Sequence, residues 1–191
     1  YLIKNPRSLV KVPELPSWPN SRGSVILLED SSIVDEVDYD DHWHEPLVTN
    51  TEGISLERIN PLAPSQEQTN WHSAAMSSGY GTPGYENSQS MAAPPGKWKL
   101  WAEPILFTPN GDGQDDVGRI NYQFSEPGAI LTTAIYNRNG QPVCYLARNA
   151  ICGQKGQFSW EGHDERGRRL APDVYVILTE VFTAEGKTRR F

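Results

Sequence analysis

Asn110, Asp112 and Asp116 stand at even offsets, with Gly111 and Gly113 between them. That spacing places side-chain oxygens on the inside of a tight loop, and Gln114 adds a backbone carbonyl. Hard cations such as Ca²⁺ take roughly six to eight oxygens from loops of this kind. The same residues have a second use. In an Asx turn the side-chain oxygens accept backbone amides and the glycines supply positive φ. The bidentate glutamate of the EF-hand pattern is missing. Calcium is the single cofactor the sequence suggests, and the self-bonded turn stands beside it.

Cys144 and Cys152 are the only cysteines, eight positions apart. No zinc spacing or Cys-x-x-Cys redox pair results. They read as a structural disulfide closing a small loop, worth about 2–3 kcal/mol, with two free buried thiols as the alternative. His42 and His44 would share a face if they lay on one strand, and Asp40, Asp41 and Glu45 add oxygens. A metal reading lacks a placed third ligand, and the usual role of such a stretch is a solvated acidic loop with Trp43 tucked inward. His72 and His163 show no evident partner. Hydrolytic motifs are missing: there is no Gly-x-Ser-x-Gly elbow and no His-Glu-x-x-His pair. Acids flank Gly111–Gly113 and would repel phosphate. The chain is therefore read as non-catalytic. Trp98 and Trp101 read as packing residues at a domain junction. Arg166, Arg168, Arg169, Lys187, Arg189 and Arg190 read as exposed basic turns.

These residues need elements to hold them, and composition says which. Of 191 residues, 37% are hydrophobic, below the ~45–50% of ordinary globular chains. Glycine and proline together number 31, about one residue in six. Apolar runs such as Val25–Leu28 and Val174–Leu178 are far shorter than the ~20 residues of a membrane helix. The formal charge of −7 argues against a general nucleic-acid binder. It is unevenly divided: residues 1–95 carry 5 basic and 13 acidic side chains, residues 96–191 carry 12 and 11. Short apolar runs with frequent turn signals predict an all-β chain.

Val25–Leu28 and Ile33–Tyr39 predict a hairpin across Asp30-Ser31-Ser32. Ser55–Ile59 predicts another short strand, and Tyr1–Lys4 a further one. Ser73–Gly96 is nearly free of large aliphatics and reads as a linker, or as an irregular arm packed by Tyr80 and Tyr85. A boundary falls near Gln89–Gly96, with Pro94-Pro95-Gly96 as a stiff spacer. The domains are thus 1–95 and 96–191. In the second, Arg119–Phe124, Ala129–Tyr136, Val143–Leu146, Gln157–Trp160 and Val174–Thr183 predict strands. Asn137–Gly140 is a hairpin signal. Tyr145–Ile151 is the nearest approach to a helix. The first domain has few elements and looks incomplete.

Four motifs in order carry a resemblance over about residues 104–191. They are Phe107–Asp116, Ile135–Val143, Phe158–Gly167 and Leu170–Val176, with Asp173 where glycine is usual. The stretch resembles a bacterial immunoglobulin-like module found at the C-termini of exported surface proteins and in flagellar hook-capping proteins. Leu56–Pro61, Asn70–Ala74 and Gly81–Ser88 are similar to the distal part of a lamin-tail-type domain. The resemblance implies two immunoglobulin-like β-sandwich modules, the first incomplete, joined by a Pro/Gly-rich linker. It also implies a large exported bacterial protein of the type IX secretion class, at the cell surface or outer membrane.

The expected role is a non-catalytic segment acting in assembly, anchoring or adhesion. Its partner would be another envelope protein or the rest of its own chain. An exposed sheet edge at Val174–Thr183, or the unclosed first domain, would accept a partner strand. Two rivals stand beside it: an accessory region of an exported hydrolase with an upstream catalytic domain, and a C-terminal sorting module for type IX secretion.

Overall fold

The computed structural model of the chain describes residues 6–91, 97–183 and 185–191. The strand expected at Tyr1–Lys4 and the Pro94-Pro95-Gly96 spacer lie outside them. The chain is all-β: its regular elements are antiparallel strands and single 3-10 turns. It divides into two compact units, Tyr1–Met91 and Ala92–Phe191. No helix among the described residues is long and apolar enough to cross a membrane.

The first unit holds two separate two-stranded sheets. Strand β1 (Arg22–Glu29) pairs with β2 (Ser32–Asp40) across the expected turn, where Asp30 takes φ 54°. Their register slips by one residue between Leu27 and Leu28. Strand β3 (Leu56–Arg58) pairs with β4 (Trp71–Ser73), a strand too short for the sequence pattern to reveal. The Ser73–Gly96 stretch is not a loose linker over its described part. Ala74, Ala75, Thr82 and Gln89 are buried, and backbone bonds tie it to β3 and its flanks: Ala74 N to Ser55 O, Ser55 N to Tyr80 O, and Met91 N to Ile59 O. Tyr80 and Tyr85 are half-buried in it, and the Tyr85 hydroxyl donates to Gly81 O at 3.1 Å.

The second unit contains a four-stranded and a three-stranded sheet. The smaller is β5 (Lys99–Glu103), β6 (Gly118–Gln123) and β9 (Lys155–Trp160), with β6 in the middle. The larger runs β11 (Thr188–Arg190), β10 (Val176–Phe182), β7 (Ala129–Tyr136), β8 (Pro142–Cys152). Ile120 and Tyr122 of β6, with Phe124 just beyond it, are almost fully buried, as are Leu131, Ile135, Ile151 and Val181 of the larger sheet. The Cys152 thiol meets the Tyr122 hydroxyl, so the two sheets share an interior.

Tyr145–Ile151, the nearest approach to a helix in a sequence that offers no convincing one, lies within β8, which bulges against β7 and takes φ 48° at Asn149. Two expectations are corrected, the first of them in part. The Val174–Thr183 edge is covered only in its second half: β7 pairs along Val176–Phe182 on one side, while on the other β11 pairs with Glu180–Phe182 and Phe191 bonds Thr179, and among the described residues no strand pairs with Val176–Leu178 there. Cys144 and Cys152 are free thiols on one strand. Eight strand steps separate them by on the order of 26 Å, against a limit near 7 Å between bridgeable Cα atoms. Burial pushes the Cys152 thiol up to about 12 and also raises that of Cys144.

Candidate functional site

The loop before β6 is anchored by Phe107, whose ring meets Trp160 edge-on at 5.4 Å. Its neck closes through Thr108 N to Asp115 O at 2.8 Å. Within it, Asn110 Oδ1 accepts Asp112 N at 2.9 Å, and Asp112 Oδ1 accepts Gln114 N at 2.8 Å. Asn110 Nδ2 donates to Asp112 Oδ2 at 2.8 Å. The two oxygens of Asp116 accept Gly111 N at 2.6 Å and Gly113 N at 2.7 Å. Gly111 and Gly113 take φ 82° and 85°, a conformation that turns both amides toward the carboxylate at no Cβ penalty. Those amide bonds, Gly111 first, hold the Asp116 carboxyl below the usual carboxylate range. Side-chain oxygens of Asn110, Asp112 and Asp116 are thus engaged by N–H donors. Each Asp116 oxygen accepts one amide and keeps a second lone pair. Of the Gln114 groups, its amide nitrogen is what the loop uses. The arrangement is chemically a set of interlocked Asx turns.

A second cluster gathers in the first unit. Asp40 Oδ1 accepts His42 N at 3.0 Å and lies 2.6 Å from His42 Nδ1; Asp41 Oδ1 is 3.1 Å from the same nitrogen. Asp40 raises the His42 pKa, and the His42 amide lowers that of Asp40. Among the described residues, Asp40, Asp41 and His42 form the one such group whose ligand atoms lie within 4.8 Å of one another. His42 and His44 do not share a strand face, because Asp41–Trp43 is a 3-10 turn. His44 turns away instead, with Nδ1 at 2.9 Å from Ser73 Oγ.

Ser73 Oγ also accepts the Glu45 amide at 2.9 Å, and the His44 ring nitrogen is its second partner. Burial lowers the His44 pKa, which keeps the ring neutral and able to accept. A hydroxyl beside an imidazole is the pairing of a nucleophile and its base. Here Ser73 is fully buried and its oxygen already accepts an amide, so the pair acts as a clamp between β4 and the 42–45 segment. His72, without evident partner in the sequence, has two. Its Nε2 lies 3.4 Å from Glu45 Oε2 and its Nδ1 3.1 Å from Ser73 O. The His72 bond is the first cause of a lowered Glu45 pKa. His163 enters only a backbone bridge with Arg169, and its carbonyl accepts Trp160 Nε1 at 3.0 Å.

The most buried acid was invisible as such in the sequence. Glu57 is 4% exposed. Its Oε1 accepts Thr82 Oγ1 at 2.5 Å, and its Oε2 accepts Ser88 Oγ at 2.6 Å and Gln89 N at 3.3 Å. Gln89 Nε2 continues to Ser73 O at 2.7 Å, and Asn87 Nδ2 to Arg58 O at 3.0 Å. Arg58 in turn reaches Asp35 Oδ2 at 3.0 Å and the Pro61 and Ala63 carbonyls. Asp35 also accepts from Ser65, the leading cause of its lowered pKa.

Trp98 stacks on Phe124 at 4.5 Å, donates to Ser125 Oγ at 2.6 Å, and has Arg189 over its ring at 4.8 Å, all within the second unit. Trp101 on β5 is substantially exposed. A shallow open depression nearby is lined by Glu103, Pro104, Asp115, Arg119 and Asn121.

No protein-family model and no curated protein matches the chain. Among solved structures, the crystal structure of FlgD from P. aeruginosa is similar over 39% of this chain, at 19% identity and a TM-score of 0.34. The match spans 57% of that structure's length.

Proposed function

We propose that the chain is a non-catalytic interaction segment of an exported bacterial envelope protein. In this reading it combines a partial lamin-tail-type domain with an immunoglobulin-like sandwich, and it works in assembly, anchoring or adhesion. The observation that carries the interaction role is the β1–β2 ribbon. Val25, Ile26, Leu27, Leu28, Ile33 and Val34 are all exposed on it, Leu28 by 59% and Ile33 by 61%. A two-stranded ribbon is marginal in water by itself, and large apolar side chains exposed on both of its faces favour a contact site. Covering it would contribute on the order of 1 kcal/mol per side chain. The polar clusters support the non-catalytic part, since their chemically capable groups are spent on structural hydrogen bonds. The four- and three-stranded sheets of the second unit are compatible with the sandwich reading.

The test is made in the producing bacterium with the full-length protein. Leu28, Ile33 and Val34 are together replaced by serine, and protease shaving of intact cells reports how much protein is held outside. The expected result is a normally folded variant, by circular dichroism of the purified chain, that is released to the medium. Undiminished surface retention overturns the interaction role. A parent protein that external protease cannot reach on intact cells overturns export.

A further inference from the structure

Both strands of the β1–β2 ribbon are sheet edges, but they are not equally free. Asp41 N bonds Ser21 O at 2.7 Å, one pair beyond the ladder. Antiparallel pairs alternate between bonded and non-bonded, so Gly23–Tyr39 and Val25–Val37 face inward. The Ser24–Asp38 and Ile26–Glu36 pairs then turn their backbone groups outward. On β2 those outward amides are occupied: Asp38 N donates to Gln66 Oε1 at 3.2 Å, and Glu36 N to Asp35 Oδ1 at 3.0 Å. On β1, nothing among the described residues bonds the outward amides of Ser24 and Ile26. Edge strands are commonly protected by lysine or proline, and Gly23–Leu28 contains neither.

Side chains around this edge differ by face. One face carries Val25 and Leu27 with Val37 across from Val25. The other carries Ser24 and Ile26, with Asp38 and Glu36 directly across. Glu29 and Asp30 close the far end. Among the described residues, no ion pair is made by Glu29, Asp30, Glu36 or Asp38. Residues 22–40 hold one arginine and six acids. A strand laid against β1 would therefore meet hydrocarbon on one side. On the other its long side chains would cross Ile26 toward unpaired carboxylates, a diagonal reach open to lysine and arginine.

We propose that the outer edge of β1 is a strand-addition site for an extended segment of another protein in which lysine or arginine alternates with apolar residues. This rests on the interaction role above and names the partner's chemistry. Main-chain bonds at Ser24 and Ile26 would supply affinity, and the alternation would fix register. A second copy of the ribbon is a poor occupant, because it brings the same excess of acid.

The test uses the ¹⁵N-labelled chain and a capped heptapeptide of alternating lysine and valine. The peptide should slow amide hydrogen exchange at Ser24 and Ile26 by about tenfold or more. Protection should weaken as salt rises. The double variant Glu36→Gln, Asp38→Asn should lower affinity by roughly fivefold or less. Two control peptides decide the chemistry. Equal protection by a peptide N-methylated on its pairing amides shows that no strand is added. Equal protection by a peptide with glutamate for lysine removes the charge argument. Protection that appears without peptide and grows with protein concentration assigns the edge to a second copy. Each of these, or no protection by the lysine peptide, overturns the proposal. The serine substitutions above lie outside the Ser24–Ile26 edge. Loss of surface retention there, with no peptide effect here, leaves the interaction role standing and rejects this partner class alone.

Discussion

In Ala92–Phe191 the buried positions are filled by Ile120, Tyr122, Phe124, Leu131, Ile135, Ile151, Phe158, Trp160 and Val181. Tyr122 stacks on Phe124 at 4.8 Å and on Phe158 at 5.6 Å. Among the described residues of Tyr1–Met91 the buried hydrophobic side chains are Ala74 and Ala75, and the buried polar ones are Glu57, Ser65, Asn70, Ser73, Thr82 and Gln89. One unit is held by volume and the other by hydrogen-bond connectivity. Here the network is satisfied except at Arg58 Nε and Gln89 Oε1, and it loses more than one bond when a member such as Glu57 is removed. Six aliphatics of the β1–β2 ribbon, Val25, Ile26, Leu27, Leu28, Ile33 and Val34, are exposed instead.

The sharpest way to break this contrast is to remove one member of each interior. Glu57→Ala leaves the Ser88 hydroxyl and the Gln89 amide without their acceptor, while the Thr82 hydroxyl keeps Asn87 Oδ1 at 3.1 Å. With each stranded buried donor worth about 1–3 kcal/mol, the loss approaches the stability of a small unit. Hydrogen exchange across the intact chain should show residues 55–90 losing protection while β6 and β7 keep theirs. Ile135→Ala should do the reverse, costing the second unit about 2–5 kcal/mol with little change around Glu57. A first unit that tolerates Glu57→Ala is not held by its polar network.

A finer comparison uses two glycines under aromatic rings. Gly156 lies opposite Tyr122, and a Cβ there would come within 2.5 Å of the ring carbon bearing the hydroxyl. Gly23 lies opposite Tyr39, with a Cβ 2.7 Å from the matching carbon. Tyr122 is buried among Phe124 and Phe158 and has nowhere to go. Tyr39 is half-buried, and gives up mainly the bond from its hydroxyl to Pro19 O at 2.6 Å. Gly156→Ala should cost about 1–3 kcal/mol, the usual range for overpacking, read as a fall in the denaturation midpoint of β6–β9. Gly23→Ala should cost about 1 kcal/mol or less. Equal effects would mean that the ribbon is as tightly held as the core.

The contrast also explains what the sequence made legible. Strands β6, β7, β9 and β10 showed as alternating or β-branched runs because a hydrocarbon core imposes period two. Strand β8 showed at Val143–Leu146, and its bulges against β7 disturb the period over the rest. Cys144 and Cys152 suggested a bridge only as long as their segment was not seen to be one extended strand. In the first unit β3 and β4 are three residues each, and polar burial leaves no period to read. Glu57, Ser73 and Gln89 resemble surface residues until their partners, 16 to 32 positions away, are placed. The Asn110–Asp116 loop was legible as a turn, and its choice between amides and a cation needed the positions of Gly111 and Gly113.

That loop gives a smaller test, on the second unit alone. The Asp116 pKa is lowered in the folded chain, so its contribution is present above the ordinary carboxylate value and is lost as pH falls through the folded one. Asp116→Asn should flatten the acid limb of the second unit's stability curve below about pH 4 and leave neutral-pH stability of the first unit unchanged. Millimolar calcium should not move the thermal midpoint of the parent chain. A rise with calcium would show that the loop exchanges its amides for a cation.

The smallest expected effect separates the units by their histidines. The His44 pKa is lowered in the folded state by burial, with Asp41 opposing and His72 adding to the shift. A depressed folded value means that the unfolded chain takes up the proton first. The His44–Ser73 clamp should therefore be fully effective above the unfolded histidine value near 6.5 and weaken as pH falls below it. His42 works in the opposite sense, since Asp40 raises its pKa. Its exposed position leaves that opposing contribution largely screened by solvent. Between about pH 7 and pH 5, exchange protection around Ser73 should decline while that of β7 stays level. His44→Gln, which offers a carbonyl to the same hydroxyl, should abolish the slope at modest cost in stability. A slope that survives in His44→Gln assigns the pH response to the other groups facing Ser73, and a slope shared by β7 shows that the two units do not titrate separately.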